Sequence, residues 1–101
     1  MLRTSIIEII HLEEIDGKVL QFQLNVDWTI DDASVITQQI LSKISVEAVE
    51  TIQGADIYCV RFKYGVNELL LNIEEYSHAC WLECVTEQDI AALQAIKVLL
   101  S

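Results

Sequence analysis

The chain has 101 residues, 52% of them hydrophobic and 22% charged, with 16 acidic against 6 basic side chains and a formal net charge of −10. That apolar content excludes a disordered segment, and a single α+β domain over residues 1–101 is expected to fold without a disulfide or metal staple. The negative charge disfavours contact with nucleic-acid phosphates or anionic lipid headgroups and favours a cationic partner. Three cysteines, an odd number without framework spacing, fit a reducing compartment, so a cytoplasmic location is expected. Residues 6–10 are apolar apart from Glu8, too short for a signal sequence, and no stretch approaches the roughly 20 apolar residues of a membrane span.

Residues 5–12 and 18–26 read as strands, the second alternating Leu20, Phe22, Leu24 and Val26 with Gln21, Gln23 and Asn25. Asp16-Gly17 between them is a type I′ hairpin signal, because both central positions of that turn need positive φ. Closure of the turn by Ile15 and Lys18 sets His11 opposite Phe22, Ile9 opposite Leu24 and Ile7 opposite Val26. Thr29 stands as an N-cap, with Asp31 and Asp32 in the first turn, ahead of a helix over residues 30–44. Ala33, Ile36, Ile40, Leu41 and Ile44 form its apolar stripe, while Asp32, Gln39 and Lys43 fall toward solvent.

Residues 46–52 are expected as a strand with Val46, Ala48 and Glu50 on one side. A turn at Gln53-Gly54-Ala55-Asp56 leads into a strand over residues 57–64, and Gly65-Val66 fits a type II′ hairpin that pairs Tyr64 with Asn67. Residues 68–74 and 79–85 follow as strands around the loop Glu75-Tyr76-Ser77-His78. These turns place Phe62, Leu69 and Cys84, then Val60, Leu71 and Leu82, then Tyr58, Ile73 and Cys80, in rows on one face. The opposite face carries Lys63 beside Glu68, Arg61 beside Leu70 and Glu83, and Cys59 beside Glu50, Asn72 and Trp81. Thr86-Glu87-Gln88-Asp89 opens the last helix as a short-armed capping box, with Ile90, Leu93, Ile96, Leu99 and Leu100 buried. The order β-β-α-β-β-β-β-α thus implies an antiparallel-rich sheet of five to six strands with two helices packed on one face.

Candidate chemistry is sparse. His78, Cys80 and Cys84 have the residue types of a zinc site, but four residues of one extended strand span about 13 Å, too far for two thiolates to share an ion. Cys80 and Cys84 are expected as small core hydrophobes. Cys59 falls on the mixed face, with Arg61 as its nearest cation, which leaves a thiol-dependent enzyme as an alternative reading. His11 beside Glu13 lacks a nucleophile or oxyanion donor, and His78 is expected in solvent. The carboxylates Glu13, Glu14 and Asp16, and Glu74 and Glu75, lack calcium-loop spacing and are expected as solvated charge. Trp28 is expected to pack at the strand-to-helix junction. No catalytic, cofactor or metal residue is assigned.

The run Leu69-Leu70-Leu71-Asn72-Ile73-Glu74-Glu75-Tyr76-Ser77-His78-Ala79-Cys80-Trp81-Leu82-Glu83, with Gly54-Ala55-Asp56 upstream, resembles a family of small uncharacterised gammaproteobacterial proteins. That family is a domain of unknown function about as long as this chain, and the resemblance, mainly over the C-terminal half, implies no activity. The expected role is a non-enzymatic protein-interaction or regulatory module, acting through Cys59, Arg61, Asn72, Trp81 and Glu83 or through an exposed strand edge. Its partner is a second copy in a homodimer or another protein, with a basic one favoured. An inhibitor or immunity-type protein that neutralises a basic partner is the sharper variant.

Overall fold

A computed structural model describes residues 6–101. Residues 1–5, including the Ser5 start expected for the first strand, lie outside the described residues. The strands are β1 (Ile9–Ile15), β2 (Val19–Leu24), β3 (Ala48–Gln53), β4 (Ile57–Tyr64), β5 (Asn67–Glu74) and β6 (Ala79–Cys84). The helices are α1 (Ala33–Lys43) and α2 (Ile90–Leu100), each entered through a 3-10 turn, Ile30–Asp32 and Glu87–Asp89. All six strands form one sheet in the order β1-β2-β6-β5-β4-β3, with every neighbouring pair antiparallel. Class, element order and antiparallel character are those expected. Among the described residues no helix is long and apolar enough to cross a membrane.

The turns explain the registers. Gly65 takes a φ of 66°, and Tyr64 pairs with Asn67 across it. His78, at φ 52°, supplies the left-handed residue that returns the β5–β6 loop, where its amide donates to the Glu75 carbonyl at 3.0 Å. Three cross-sheet rows follow: Phe62–Leu69–Cys84, Val60–Leu71–Leu82–Leu20 and Tyr58–Ile73–Cys80–Phe22. All their members but Tyr58 and Cys84, which are partly buried, lie buried in one cluster with Ile36 and Ile40 of α1 and Leu93 and Ile96 of α2, so both helices cover the same face.

The edge strands depart from simple alternation. Asp16 and Gly17 both take positive φ, 53° and 69°, and the Lys18 amide donates to the Ile15 carbonyl as a type I′ turn requires. Yet Ile15 pairs with Val19, not Lys18, and a bulge between Ile9 and His11 restores the expected Ile9–Leu24 pair. His11 therefore faces Gln23, and Leu12 lies opposite Phe22. The Ile15–Val19 register thus exchanges an imidazole for a half-buried leucine on the core face, and the bulge keeps Ile9 on that face as well. A second bulge, between Ala48 and Glu50, splits the expected Val46–Ala48–Glu50 side. Ala48 and Thr51 oppose Phe62 and Val60 on the helix side, while Glu50 opposes Arg61 and Ile52 opposes Cys59. Leu99 also departs from expectation at 50% exposed, lying about 100° round the helix from the buried Leu100.

Both strand-to-helix junctions use the same device. At α1 the Thr29 amide donates to Asp32 Oδ2 at 3.0 Å, and at α2 the Thr86 amide donates to Asp89 Oδ2 at 2.9 Å. Asp89 is 6% exposed and also accepts from the Thr86 hydroxyl and the Glu68 amide, which ties α2 to β5. The Thr86 amide above all holds the Asp89 carboxyl below its ordinary value.

Two predictions follow from this packing. Leu71→Ala is expected to lower stability by about 2–5 kcal/mol, and Val66→Ala, at a 94% exposed turn position, to stay within about 0.5 kcal/mol, by urea unfolding. Asp89 has a folded pKa below its ordinary 3.8, so its stabilisation is present above pH 3.8 and is lost as pH falls through the lower folded value. Asp89→Asn should therefore unfold more readily than the parent at neutral pH, with the gap closing in acid; a constant gap across an acid titration would exclude the carboxylate as its source.

Candidate functional site

The face of the sheet away from the helices carries the residues singled out from sequence. One cross-sheet row on it runs Glu13–Gln21–Trp81–Asn72–Cys59–Ile52, and the next runs Ile15–Val19–Glu83–Leu70–Arg61–Glu50. Trp81, Leu70, Val19 and Cys59 are half-buried, whereas Ile52 is 58% exposed. Among the described residues no helix covers this side.

Glu83 organises the centre of this face. Its Oε1 accepts from Asn72 Nδ2 at 2.8 Å and from Trp81 Nε1 at 3.2 Å. The two donors fix the carboxylate, and the carboxylate in turn holds the indole nitrogen. Asn72 is 4% exposed, so this pair of bonds also satisfies a buried amide. Arg61 sits apart from the tryptophan, with Nε 3.2 Å from Glu50 and Nη1 3.2 Å from Glu68. The five residues therefore divide into an Asn72–Glu83–Trp81 triad, a neutralised arginine and the Cys59 thiol. Cys59 lies opposite Asn72 and Ile52; the expected Glu50 neighbour pairs with Arg61 instead, in the register that the Gly54–Ile57 turn sets.

The thiols share one tendency. Burial first, then the Glu83 and Glu50 carboxylates, push the Cys59 thiol up. Burial raises Cys80 to about 12, and burial followed by Asp89 raises Cys84. Cys80 and Cys84 face Ile73 and Leu69 on the helix side. Among the described residues no three His, Cys, Asp or Glu side chains converge as metal ligands. His11 is exposed, with its Nε2 3.8 Å from Glu13 Oε1.

Four groups expected in solvent make contacts within the fold, of which His78 and Glu14 are exposed as expected. The His78 ring stacks on Trp28, with centroids 4.1 Å apart and planes within 9°, and its Nε2 donates to the Trp28 carbonyl at 3.1 Å. Glu75 Oε1 accepts the Ile30 amide at 2.7 Å, so the β5–β6 loop braces the start of α1. Glu14 Oε1 accepts from Gln94 at 2.9 Å and Lys97 at 3.1 Å, bridging β1 to α2 and lowering the Glu14 carboxyl, chiefly through Gln94. Gln39, placed toward solvent by the helix pattern, accepts the Ile7 amide at 2.9 Å. These contacts join residues 32 to 83 positions apart, beyond the reach of any local pattern.

Sequence reading also missed a groove of about 610 Å³ between α1 and β3. It has an apolar floor that includes Leu41 and Val60 and a polar rim that includes Gln38 and Tyr58. The 46–52 strand is its only signal in the sequence.

With every thiol disfavouring the thiolate, Cys59 and Cys84 in the folded protein should react with a disulfide reagent more slowly than free cysteine, and Cys80 not at all until urea unfolds the chain. A Cys59 rate above that of free cysteine would contradict the environment described.

No curated protein and no solved structure matches this chain. Residues 7–101 match the model of a family described as a protein of unknown function (DUF3630), and the chain belongs to that family.

Proposed function

We infer that this protein is a non-enzymatic interaction or regulatory module that docks a protein partner on the helix-free face of its sheet, with Trp81 at the centre. The observation that carries this reading is the Glu83-anchored tryptophan in the middle of a half-apolar face with no helix over it. An aromatic held in one orientation loses little entropy on binding, and such residues dominate interface energetics. The chain's net charge of −10, and the pairing of Arg61 with two glutamates on this face, favour a basic partner.

The same charge supports a narrower version, an inhibitor or immunity-type protein that neutralises a cationic target. A thiol enzyme centred on Cys59 draws no support from a thiol whose surroundings favour the protonated form.

Affinity capture from the source cell with the parent chain and with Trp81→Ala tests the reading. The expected outcome is a basic protein that is retained by the parent, weakened by rising salt and bound about 30-fold more weakly by Trp81→Ala. Equal retention by the variant would remove this face from consideration.

A further inference from the structure

The groove between α1 and β3 lies at an open edge of the sheet. Its floor is apolar, from Leu41, Val46 and Val60, and its rim is polar, from Gln38 and Tyr58. Glu47 is the carboxylate that lines it, and none of its described lining residues is a lysine or arginine.

Strand β3 ends the sheet, and its hydrogen-bonding pattern shows which of its groups are free. The Gly54 amide donates to the Ile57 carbonyl at 2.8 Å, which makes Gly54 and Ile57 a bonded pair. Bonded and non-bonded pairs alternate along an antiparallel ladder, so the bonded pairs further on are Ile52–Cys59 and Glu50–Arg61. The backbone N–H and C=O of Thr51 and Gln53 therefore point away from the sheet. Thr51 also opposes Val60 on the helix side and lines the groove. A residue of an added strand placed opposite Thr51 would point to that same side, over the groove.

We propose that the β3 edge takes an extended basic segment of another protein as a seventh strand, with a lysine or arginine opposite Thr51 inserted into the α1–β3 groove. The aliphatic stem of that residue lies on the apolar floor, and its charged head meets Glu47 and the rim oxygens. Glu50 is not its counter-ion, being paired with Arg61 at 3.2 Å. The occupant is basic because the groove offers one carboxylate and no competing lysine or arginine in a chain of net charge −10. The β1 edge is a poorer host. Its helix-side Glu14 is already bonded to Gln94 and Lys97, and the hollow beside it is about 220 Å³ and lined by Lys97 itself. The proposal shares with the preceding one that the occupant is a basic protein, and it uses a surface that excludes Trp81.

A capped hexapeptide alternating valine and lysine, titrated into the ¹⁵N-labelled full chain, provides the test. Saturable amide shifts are expected at Glu47, Thr51 and Gln53 and along the Gln38 side of α1, with slowed hydrogen exchange of the Thr51 and Gln53 amides. Thr51→Pro removes an outward donor without touching the β3–β4 bonds and should weaken binding at least about tenfold. Glu47→Lys, an exposed substitution that spares the fold, should do the same, as should glutamine in place of the peptide lysines. Trp81→Ala should leave peptide affinity unchanged, which separates this site from the sheet face. Shifts centred on Trp81 or on β1, undiminished binding to Glu47→Lys, or no saturable binding would overturn the proposal. So would concentration-dependent shifts of Thr51 and Gln53 without peptide, which would mean that a second copy occupies the edge.

Discussion

The row Val60–Leu71–Leu82–Leu20 crosses four strands at the centre of the sheet, and each of its members is buried to within 1%. Because side chains alternate faces along a strand, a slip of one residue in any of these strands would turn its part of the row to the helix-free side. Every core-facing side chain of the strand that slipped would then be exposed together, at roughly 1.5–3 kcal/mol each. That penalty exceeds any single turn or ion pair in the molecule. It sets the register of β2, β6, β5 and β4, the side on which the helices pack, and hence the side that remains open.

The same constraint accounts for what could be read from sequence. In the β4–β5–β6 meander the apolar alternation and the Gly65 and His78 turns point to one register, and the rows through Phe62, Val60 and Tyr58 are those expected. At the edges a strand has one neighbour, and an unpaired residue costs less there. Both bulges lie there, at Ile10 in β1 and Val49 in β3; the first keeps Ile9 on the helix side and the second brings Ala48 to it. Alternation alone cannot signal an extra residue in a turn or a strand, which is why His11 and Ala48 were placed on the wrong faces. The five residues of the candidate face were legible because four of them sit on β4 and β6 and the fifth, Asn72, on β5 between them. The bonds from Asn72 and Trp81 to Glu83 were not, since a register specifies neighbours but not rotamers.

Acidity in this chain is more than surface charge. Asp32 and Asp89 accept amides at the two helix entries, Glu75 accepts the Ile30 amide, and Glu14 bridges β1 to α2. Asp32, Asp89 and Glu75 satisfy backbone donors that a helix start leaves without internal partners, and Glu14 takes side-chain donors from α2. A net charge of −10 would destabilise a compact molecule through self-repulsion if it were evenly solvated. Placing several of the negative groups on backbone amides or lysines offsets that repulsion locally. The carboxylates without such partners, Glu47 among them, are left to set the negative field at the surface.

Rigidity links the fold to recognition. A sheet face can present a tryptophan in one orientation only if the strands beneath it do not shear. Here the adjacent strands β2 and β6 are each followed by a helix that is entered through a Thr-x-x-Asp turn, and both helices pack into one core with the central row. The β5–β6 loop adds a brace across the molecule, with His78 stacked on Trp28 and Glu75 on the Ile30 amide, so β6 is held at both ends. Trp81 lies midway along β6, between these restraints, with its indole nitrogen fixed by Glu83. The ordering entropy of that side chain is thereby met during folding and not during association. By contrast β3 has a neighbour on one side only and every residue exposed. Of the two surfaces, the face is suited to a preformed, shape-matched contact, and the edge to a chain segment that orders as it adds.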